Sequence, residues 1–310
     1  MRRKLDPDRK IKFDVGEKGR VEFRLREILA PPGKRISLKK DFDPDFTGGF
    51  QDKAGAAEHV AANVGRMSDL QEMLYAQDQY ALLIIFQAMD AAGKDGAIRH
   101  VMSGVNPQGC HVTSFKAPST EELDHDYLWR CNKALPARGM IGIFNRSYYE
   151  EVLVVRVHPE FLAKQQLPAE AHQDVWNCRF RQINQFEEYL VHNGIVVLKF
   201  FLNVSKKEQK KRFLSRIDEP DKNWKFSIAD CQERAHWDEY QQAIEDLLNN
   251  TSTEAAPWFV IPADNKWFAR LAISEAICVT LEQLDLAFPK VSKERREQLA
   301  KIKQALEEEG

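Results

Sequence analysis

The stretch Ala81-Leu-Leu-Ile-Ile-Phe-Gln-Ala-Met-Asp-Ala-Ala-Gly-Lys-Asp-Gly96 decides the fold of this 310-residue chain. Its first six residues are apolar without alternation, the composition of a strand covered on both faces. The glycine-bearing turn that follows opens into a helical pattern. A turn in that position aims backbone N–H groups and a helix N-terminus at an anion, and Lys94 adds a mobile positive charge. Two positions depart from the common P-loop pattern: Ala88 stands for the first glycine, and Asp95 for the Ser/Thr that binds magnesium. Asp90 sharpens the reading. A carboxylate inside a phosphate-binding loop repels its ligand unless a cation lies between them, which points to Mg²⁺ bridging Asp90 and phosphate oxygens. The plainer alternative is that Asp90 and Asp95 make ordinary Asx-turn hydrogen bonds.

Outward from this stretch, short apolar runs recur at Cys110–Phe115, Met140–Phe144, Ile195–Leu202 and Trp258–Ile261. Helical patterns separate them: Ala54 to about Gln79, Gly96–Ser103, Glu121–Leu135, Ser147–Val157, Ala169–Val191, Ser205–Ile217, Ile228–Leu248 and Lys266–Leu286. Alternating strands and helices predict an α/β protein, a three-layer αβα arrangement with a parallel sheet. Ligands in such folds lie at the carboxyl ends of strands, so the loops after Phe86 and Phe144 are expected to hold the chemistry. Residues 1–50 are interrupted by Pro7, Pro31, Pro32, Gly33, Pro44 and Gly48-Gly49, and read as an arm and loops with little regular structure. Residues 51–290 read as the main domain and 291–310 as a C-terminal helix.

After the run ending at Phe144 comes Asn145-Arg146-Ser-Tyr-Tyr-Glu150. Asn145 is neutral where many P-loop proteins place an acid that orients magnesium. Arg146 offers a planar cation to a phosphoryl group. Ser147-x-x-Glu150 spells a capping box, which by itself accounts for Glu150 as well as a ligand contact does. Ser205-Lys-Lys-Glu208 spells a second box. It begins a helix carrying Lys207, Lys210, Lys211, Arg212 and Arg216, of which the last two share a face. A cationic helix is most often a solvated face. Beside a phosphate loop, the segment at about 205–228 reads as a lid closing over anionic substrates and excluding water.

Apolar residues make up 43% of the chain and charged residues 30%, an ordinary globular balance. The longest apolar run has six residues against the ~20 a membrane span needs, so no membrane partner is expected. The start, Met1-Arg-Arg-Lys-Leu-Asp6, leads into more charge instead of a signal-peptide apolar stretch. Five cysteines without a Cys-x-x-Cys pair argue against a disulfide framework or a zinc ribbon. The expectation is a reduced cytoplasmic protein whose cysteines are small buried hydrophobes. The net charge of −2 hides +8 over residues 1–40 and +5 over 199–225, leaving −15 elsewhere. Local basic zones on an acidic chain suit an anionic ligand held at chosen places, not nucleic acid.

Four segments together resemble polyphosphate kinase family 2. They are Phe86-Gln-Ala-Met-Asp-Ala-Ala-Gly-Lys-Asp-Gly96, Ile143-Phe-Asn-Arg-Ser-Tyr-Tyr-Glu150, Arg212 through Ser227, and Ala256-Pro-Trp-Phe-Val-Ile-Pro-Ala-Asp-Asn-Lys266. The resemblance spans roughly residues 80–285. It implies a P-loop kinase fold similar to thymidylate kinase with a helical lid, usually a homo-oligomer (dimer or tetramer). The implied reaction is reversible phosphoryl transfer between inorganic polyphosphate and adenine nucleotides, with guanine nucleotides left open, using Mg²⁺ or Mn²⁺. Asp90 matches the loop acid and metal ligand, Lys94 the loop lysine and Arg146 the strand-end arginine; these three are the implied catalytic residues. Asn145 with Glu150 resembles the class accepting both AMP and ADP, which gives these two a nucleotide-site role. The implied polyphosphate contacts are the loop residues Ala92, Gly93, Lys94, Asp95 and Gly96, together with Arg99, Arg212, Arg216 and Lys222.

Three alternatives remain open at this point. One is restriction to nucleoside diphosphates, another a nucleotide kinase that spends a nucleoside triphosphate, and the third a polyanion-binding module without turnover. Trp224, Tyr148 and Tyr149 are candidates to stack on a base, although buried aromatics are commoner.

Overall fold

The apolar runs form the centre of one sheet. In the computed structural model, which describes residues 7–14, 20–50 and 53–309, there are eight strands. They are β1 (Lys10–Asp14), β2 (Arg20–Arg24), β3 (Leu29–Ala30), β4 (Ala81–Ala88), β5 (Cys110–Ser114), β6 (Ile141–Asn145), β7 (Ile195–Asn203) and β8 (Trp258–Pro262). β1 and β2 make a separate antiparallel pair; the other six form one sheet in the order β3-β8-β7-β4-β6-β5. All its pairings are parallel except β3 against β8. β4 lies inside, with Phe86 level with Asn145 of β6 on one side and Phe200 of β7 on the other.

Helices cover both faces, which is why β4 shows no alternation. Leu82, Ile84 and Phe86 pack into a core shared with the helices Lys53–Gln77, Lys94–Val101 and Lys266–Glu282. Leu83 and Ile85 enter a second core with the helices Val175–His192 and Trp237–Thr251. Each such side chain removed from water contributes about 1.5–3 kcal/mol. The structure is therefore a three-layer α/β fold with a mostly parallel sheet, and the phosphate loop leaves its middle.

Several boundaries differ from the sequence expectation. Residues 1–50 were expected to hold little regular structure; those of them that are described supply β1, β2 and the edge strand β3, while 1–6 and 15–19 lie outside the described residues. Ile11 and Phe23 face each other across β1 and β2 and are both buried. Phe23 packs edge-on against Phe268, 5.5 Å between centroids. The helix expected over 121–135 is two short ones, Thr120–Leu123 and Trp129–Lys133, with Leu128 N–H bonded to the Asp126 side chain between them. The helices expected to begin at Ser147 and Ala169 open as 3-10 turns, and Asp174 in a left-handed conformation separates the second turn from the helix Val175–His192. The helix expected over 228–248 is interrupted by a 3-10 turn at Arg234–His236. Among the cysteines Cys131 and Cys278 are buried, whereas Cys231 is exposed. No helix among the described residues is long and apolar enough to cross a membrane.

Gly142, in the middle of β6, tests how tightly this sheet is covered. A Cβ there would lie 2.9 Å from Pro136 Cδ and 3.0 Å from its Cγ. Gly142→Ala is expected to cost about 1–3 kcal/mol by overpacking, read as a lower urea-unfolding midpoint at unchanged slope. An unchanged midpoint would show that the proline yields.

Candidate active site

The loop after β4 is shaped by one guanidinium. Ala91 is left-handed (φ 59°), as is Gly93 (φ 105°). For alanine that conformation costs about 1–2 kcal/mol, so something must hold it. Arg212 Nη1 donates to the carbonyls of Ala91 (3.1 Å) and Ala92 (2.7 Å). Its Nη2 donates to the carbonyls of Ala263 (2.6 Å) and Asp264 (3.1 Å), beyond the end of β8, and its Nε to Glu208 (3.0 Å). Gln209 adds a bond to the Asp90 carbonyl (3.1 Å). With the carbonyls turned toward Arg212, the N–H groups of Gly93, Lys94, Asp95 and Gly96 have no acceptor among the described residues. They form a concave donor set at a helix start, the geometry that takes an anion.

This corrects the expectation that Arg212 binds polyphosphate directly. The residue is buried and all five of its N–H groups are spent on protein acceptors, so it fastens the loop. The second capping box is likewise only half formed. Ser205 Oγ accepts from Glu208 N–H, but Ser205 N–H goes to Asp264, and the Glu208 carboxylate serves Arg212.

Across the parallel pairing, β6 ends beside this loop. Asn145 Nδ2 donates to Asp95 Oδ1 (2.7 Å), and Arg146 Nη2 to Asp90 Oδ1 (3.0 Å). Arg146 is itself left-handed (φ 64°), with its N–H on the carbonyl of Phe86 in β4 (3.0 Å). Glu150 does not close the box with Ser147. Its carboxylate accepts from Gln87 Nε2 (3.0 Å) and lies 3.6 Å from Arg146, while Ser147 Oγ accepts from Tyr149 N–H. Glu150 chiefly, then Asp90, raise the Arg146 pKa against the effect of burial. Burial first and Arg146 second lower that of Lys94, against the pull of Asp90, Glu150 and Asp95.

Arg146 stands where three cavities meet. A trough of about 710 Å³ runs along the loop. Besides the expected Arg99, Arg216 and Lys222 it is lined by Lys116, Lys266 and Arg270, which the sequence reading missed. Arg216 bonds Asp230 (3.3 Å) and the Lys225 carbonyl, and Lys222 pairs with Glu219. Arg99, Lys266 and Arg270 have no acidic partner among the described residues. Burial, then Arg212, lowers the Lys266 pKa; burial, then Arg99, lowers that of Arg270. Cations crowded until they depress one another's pKa mark a place for an anion. Lys266 follows the carboxyl end of β8 and Arg270 lies one turn on, so the strand-end rule applied to Loops 86 and 144 would have found both. A second cavity, of about 300 Å³, is lined by Phe115, His125, Tyr127, Arg130, Arg146 and Glu150. A third, of about 220 Å³, lies between the loop and the segment 229–240, with Asp90, Asp230, Glu233 and Tyr240 in its wall.

Residues 50–289 match the family model for polyphosphate kinase 2. The chain belongs to the polyphosphate kinase 2 family. It is 48% identical over 291 residues to the ADP-polyphosphate phosphotransferase of Rhodopseudomonas palustris, covering 92% of this chain and 99% of that one. It is 46% identical over 266 residues to the AMP/ADP-polyphosphate phosphotransferase of Meiothermus ruber, covering 86% and 96%. The crystal structure of polyphosphate kinase 2 from Arthrobacter aurescens superposes with a TM-score of 0.83 at 39% identity, covering 95% of this chain and 99% of that one.

Polyphosphate kinase 2 enzymes are phosphotransferases that generally need a divalent metal. The donor set here fits one. No three His, Cys, Asp or Glu side chains form a cage among the described residues. Asp90, however, faces both the trough and the third cavity. Across from it, burial first and Asp90 second raise the Asp230 pKa, a sign of carboxylates crowded where a cation would relieve them. A magnesium-like ion takes one or two carboxylates and fills its other positions with substrate phosphates and water.

The 145–150 segment of this polyphosphate kinase 2 chain rests on a fully buried hub. Lys199 Nζ donates to Glu187 (2.7 Å), Tyr149 OH (2.8 Å) and the Thr251 carbonyl (2.8 Å). Tyr148 OH (2.9 Å) and Tyr149 OH (2.8 Å) both donate to the other Glu187 oxygen. Tyr148 and Tyr149 are thus removed as base-stacking candidates, while Trp224 stays exposed on the rim of the trough. Burial lowers the Lys199 pKa and Glu187 opposes it.

Two outcomes follow from this geometry. Lys199→Met leaves a buried carboxylate unpaired and is expected to cost about 3–5 kcal/mol, with much of that recovered in Lys199→Met/Glu187→Leu; urea unfolding of both variants decides it. In the trough, a polyanion returns Lys266 and Lys94 toward the ordinary lysine range. Binding of tripolyphosphate should therefore take up protons, and its affinity should fall as pH rises through the lowered lysine pKa values. Calorimetry in buffers of different ionisation enthalpy reads the uptake, and proton release would count against the arrangement.

Proposed function

We propose that this chain transfers phosphoryl groups reversibly between inorganic polyphosphate and AMP or ADP, forming ADP and ATP, with Mg²⁺ as the metal. The observation that carries the reading is the cation-rich trough ending at Arg146, in which Arg99, Lys266 and Arg270 have no ion pair among the described residues, and beyond which a second, partly aromatic cavity begins. A chain of phosphates has charge but no bases, so a row of cations is all its recognition requires. In this reading it lies along Arg99, Arg216, Lys222, Lys266 and Arg270, with its end on the N–H groups of residues 93–96. The nucleotide places its base against Phe115, Tyr127 and His125 and its phosphate at Arg146. The name of the Meiothermus relative, which covers both AMP and ADP, favours the same substrates.

In the forward reaction a terminal phosphate oxygen of the nucleotide attacks the end phosphorus of the chain. A new O–P bond forms, the bridging P–O bond breaks, and the shortened chain leaves with that electron pair on its new terminal oxygen. Nucleotide phosphates are largely ionised near neutral pH and need little help from a base. Lys94, Arg146 and the loop N–H groups stabilise the charge of a loose, metaphosphate-like transition state. When bound, Mg²⁺ at Asp90 neutralises phosphate charge and screens it from the carboxylate. Glu150, held by Gln87 and Arg146, and neutral Asn145, held by Asp95, sit where the acceptor phosphate arrives. The segment 205–228 acts as the lid: its first helix fastens the loop through Arg212, and Arg216 and Lys222 reach the trough.

The test supplies AMP and purified polyphosphate and follows nucleotides over time. ADP is expected before ATP, and Asp90→Asn should slow both steps by about 100-fold or more while still binding polyphosphate. Turnover of ADP alone would overturn the AMP reading of Asn145 and Glu150. Turnover only with a nucleoside triphosphate donor would overturn the polyphosphate reading.

A further inference from the structure

The helix Lys293–Glu308 lies beyond the family match, and all its side chains are exposed. Leu299 (45%), Ile302 (51%) and Leu306 (62%) recur at steps of three and four, so they form one apolar stripe facing water. An isolated helix of this length is marginal in water even with favourable charges. Here the charges oppose the helix. Lys293, Arg295 and Arg296 crowd its positive N-terminal end, where only Glu294 and the Ser292 cap work the other way, and Glu307, Glu308 and Glu309 follow one another at its negative end. No basic residue occupies the last turn, and the Lys303–Glu307 pair at 3.6 Å runs in the weaker, base-first order.

Both defects are relieved by one partner. About Ile302 the end charges are complementary: Arg295 and Arg296 lie seven and six residues before it, Glu308 and Glu309 six and seven after, while nearer the centre Glu297 meets Glu307 and Lys301 meets Lys303 as like charges. A second identical helix laid antiparallel sets each basic end along the partner's acidic end, twice by symmetry, and covers the apolar stripe of both. A parallel pair would set base against base. Five cationic and four acidic side chains over Lys293–Glu308 nearly cancel, so the surface has little pull on an anionic membrane or on polyphosphate.

We propose that this helix pairs antiparallel with the same helix of a second copy of the chain, burying Leu299, Ile302 and Leu306 between them. Sedimentation of the full chain at micromolar concentration tests it. The wild type should associate, and Ile302→Asp/Leu306→Asp should halve the mass without loss of phosphotransferase rate. Arg295→Glu/Arg296→Glu should weaken association roughly tenfold, and adding Glu308→Lys/Glu309→Lys to that variant should restore it. A monomeric wild type, an unchanged mass in the aspartate variant, or failure of the four-fold reversal to restore association would each overturn the proposal. A drop in thermal stability without a change of mass would do so as well, by placing the stripe against its own chain.

Discussion

Five N–H groups on one buried guanidinium hold the phosphate loop of this protein in shape. Arg212 takes up the carbonyls of Ala91 and Ala92 on one side and of Ala263 and Asp264 on the other. The loop after β4 and the loop after β8 are therefore one object. Peptide planes turned so that their carbonyls face Arg212 leave the N–H groups of residues 93–96 open for an anion. Lysine could supply the charge but not the planar fan of donors, so the geometry depends on arginine at this position.

The same chain uses charge in two opposite ways. Beneath the 145–150 segment, Lys199 and Glu187 are fully buried and fully paired, with two tyrosine hydroxyls and a carbonyl completing the set. Such a hub holds the strand end still and leaves no charge for a ligand. In the trough Arg99, Lys266 and Arg270 have no ion pair among the described residues, and burial with repulsion from neighbouring cations lowers the Lys266 and Arg270 pKa values. Rigid support and stored electrostatic tension meet at Arg146, whose left-handed backbone is tied to β4 and whose side chain is tied to Asp90.

The three cavities make the order of events in the site a matter of geometry. Arg146 lines all of them, and Glu150 lines the two beside the trough. In the proposed reaction a phosphoryl group passing from trough to acceptor crosses Arg146 in either direction. That suits a reversible transfer in which donor and product are both polyanions.

Much of the fold and of the site's core was legible in the residue order. Five apolar runs of strand length, a glycine-lysine turn after the first of them, and an arginine after the third are local patterns, and local patterns survive in one dimension. The short strands near the N-terminus were not legible, because Ile11 and Phe23 bury themselves by meeting each other and Phe268 across the chain. Nor could the sequence separate an arginine that faces the trough from one that fastens the loop. Arg212 and Arg216 share a helix face in any helical projection, yet only the folded chain brings four carbonyls around the first. The capping-box pattern at Ser147 was likewise ambiguous until Gln87 and Arg146 took the Glu150 carboxylate. Residue types and spacing determine which chemistry is available to this chain. Which group is free to perform it depends on who its neighbours are, and neighbours separated by a hundred residues are decided only by tertiary packing.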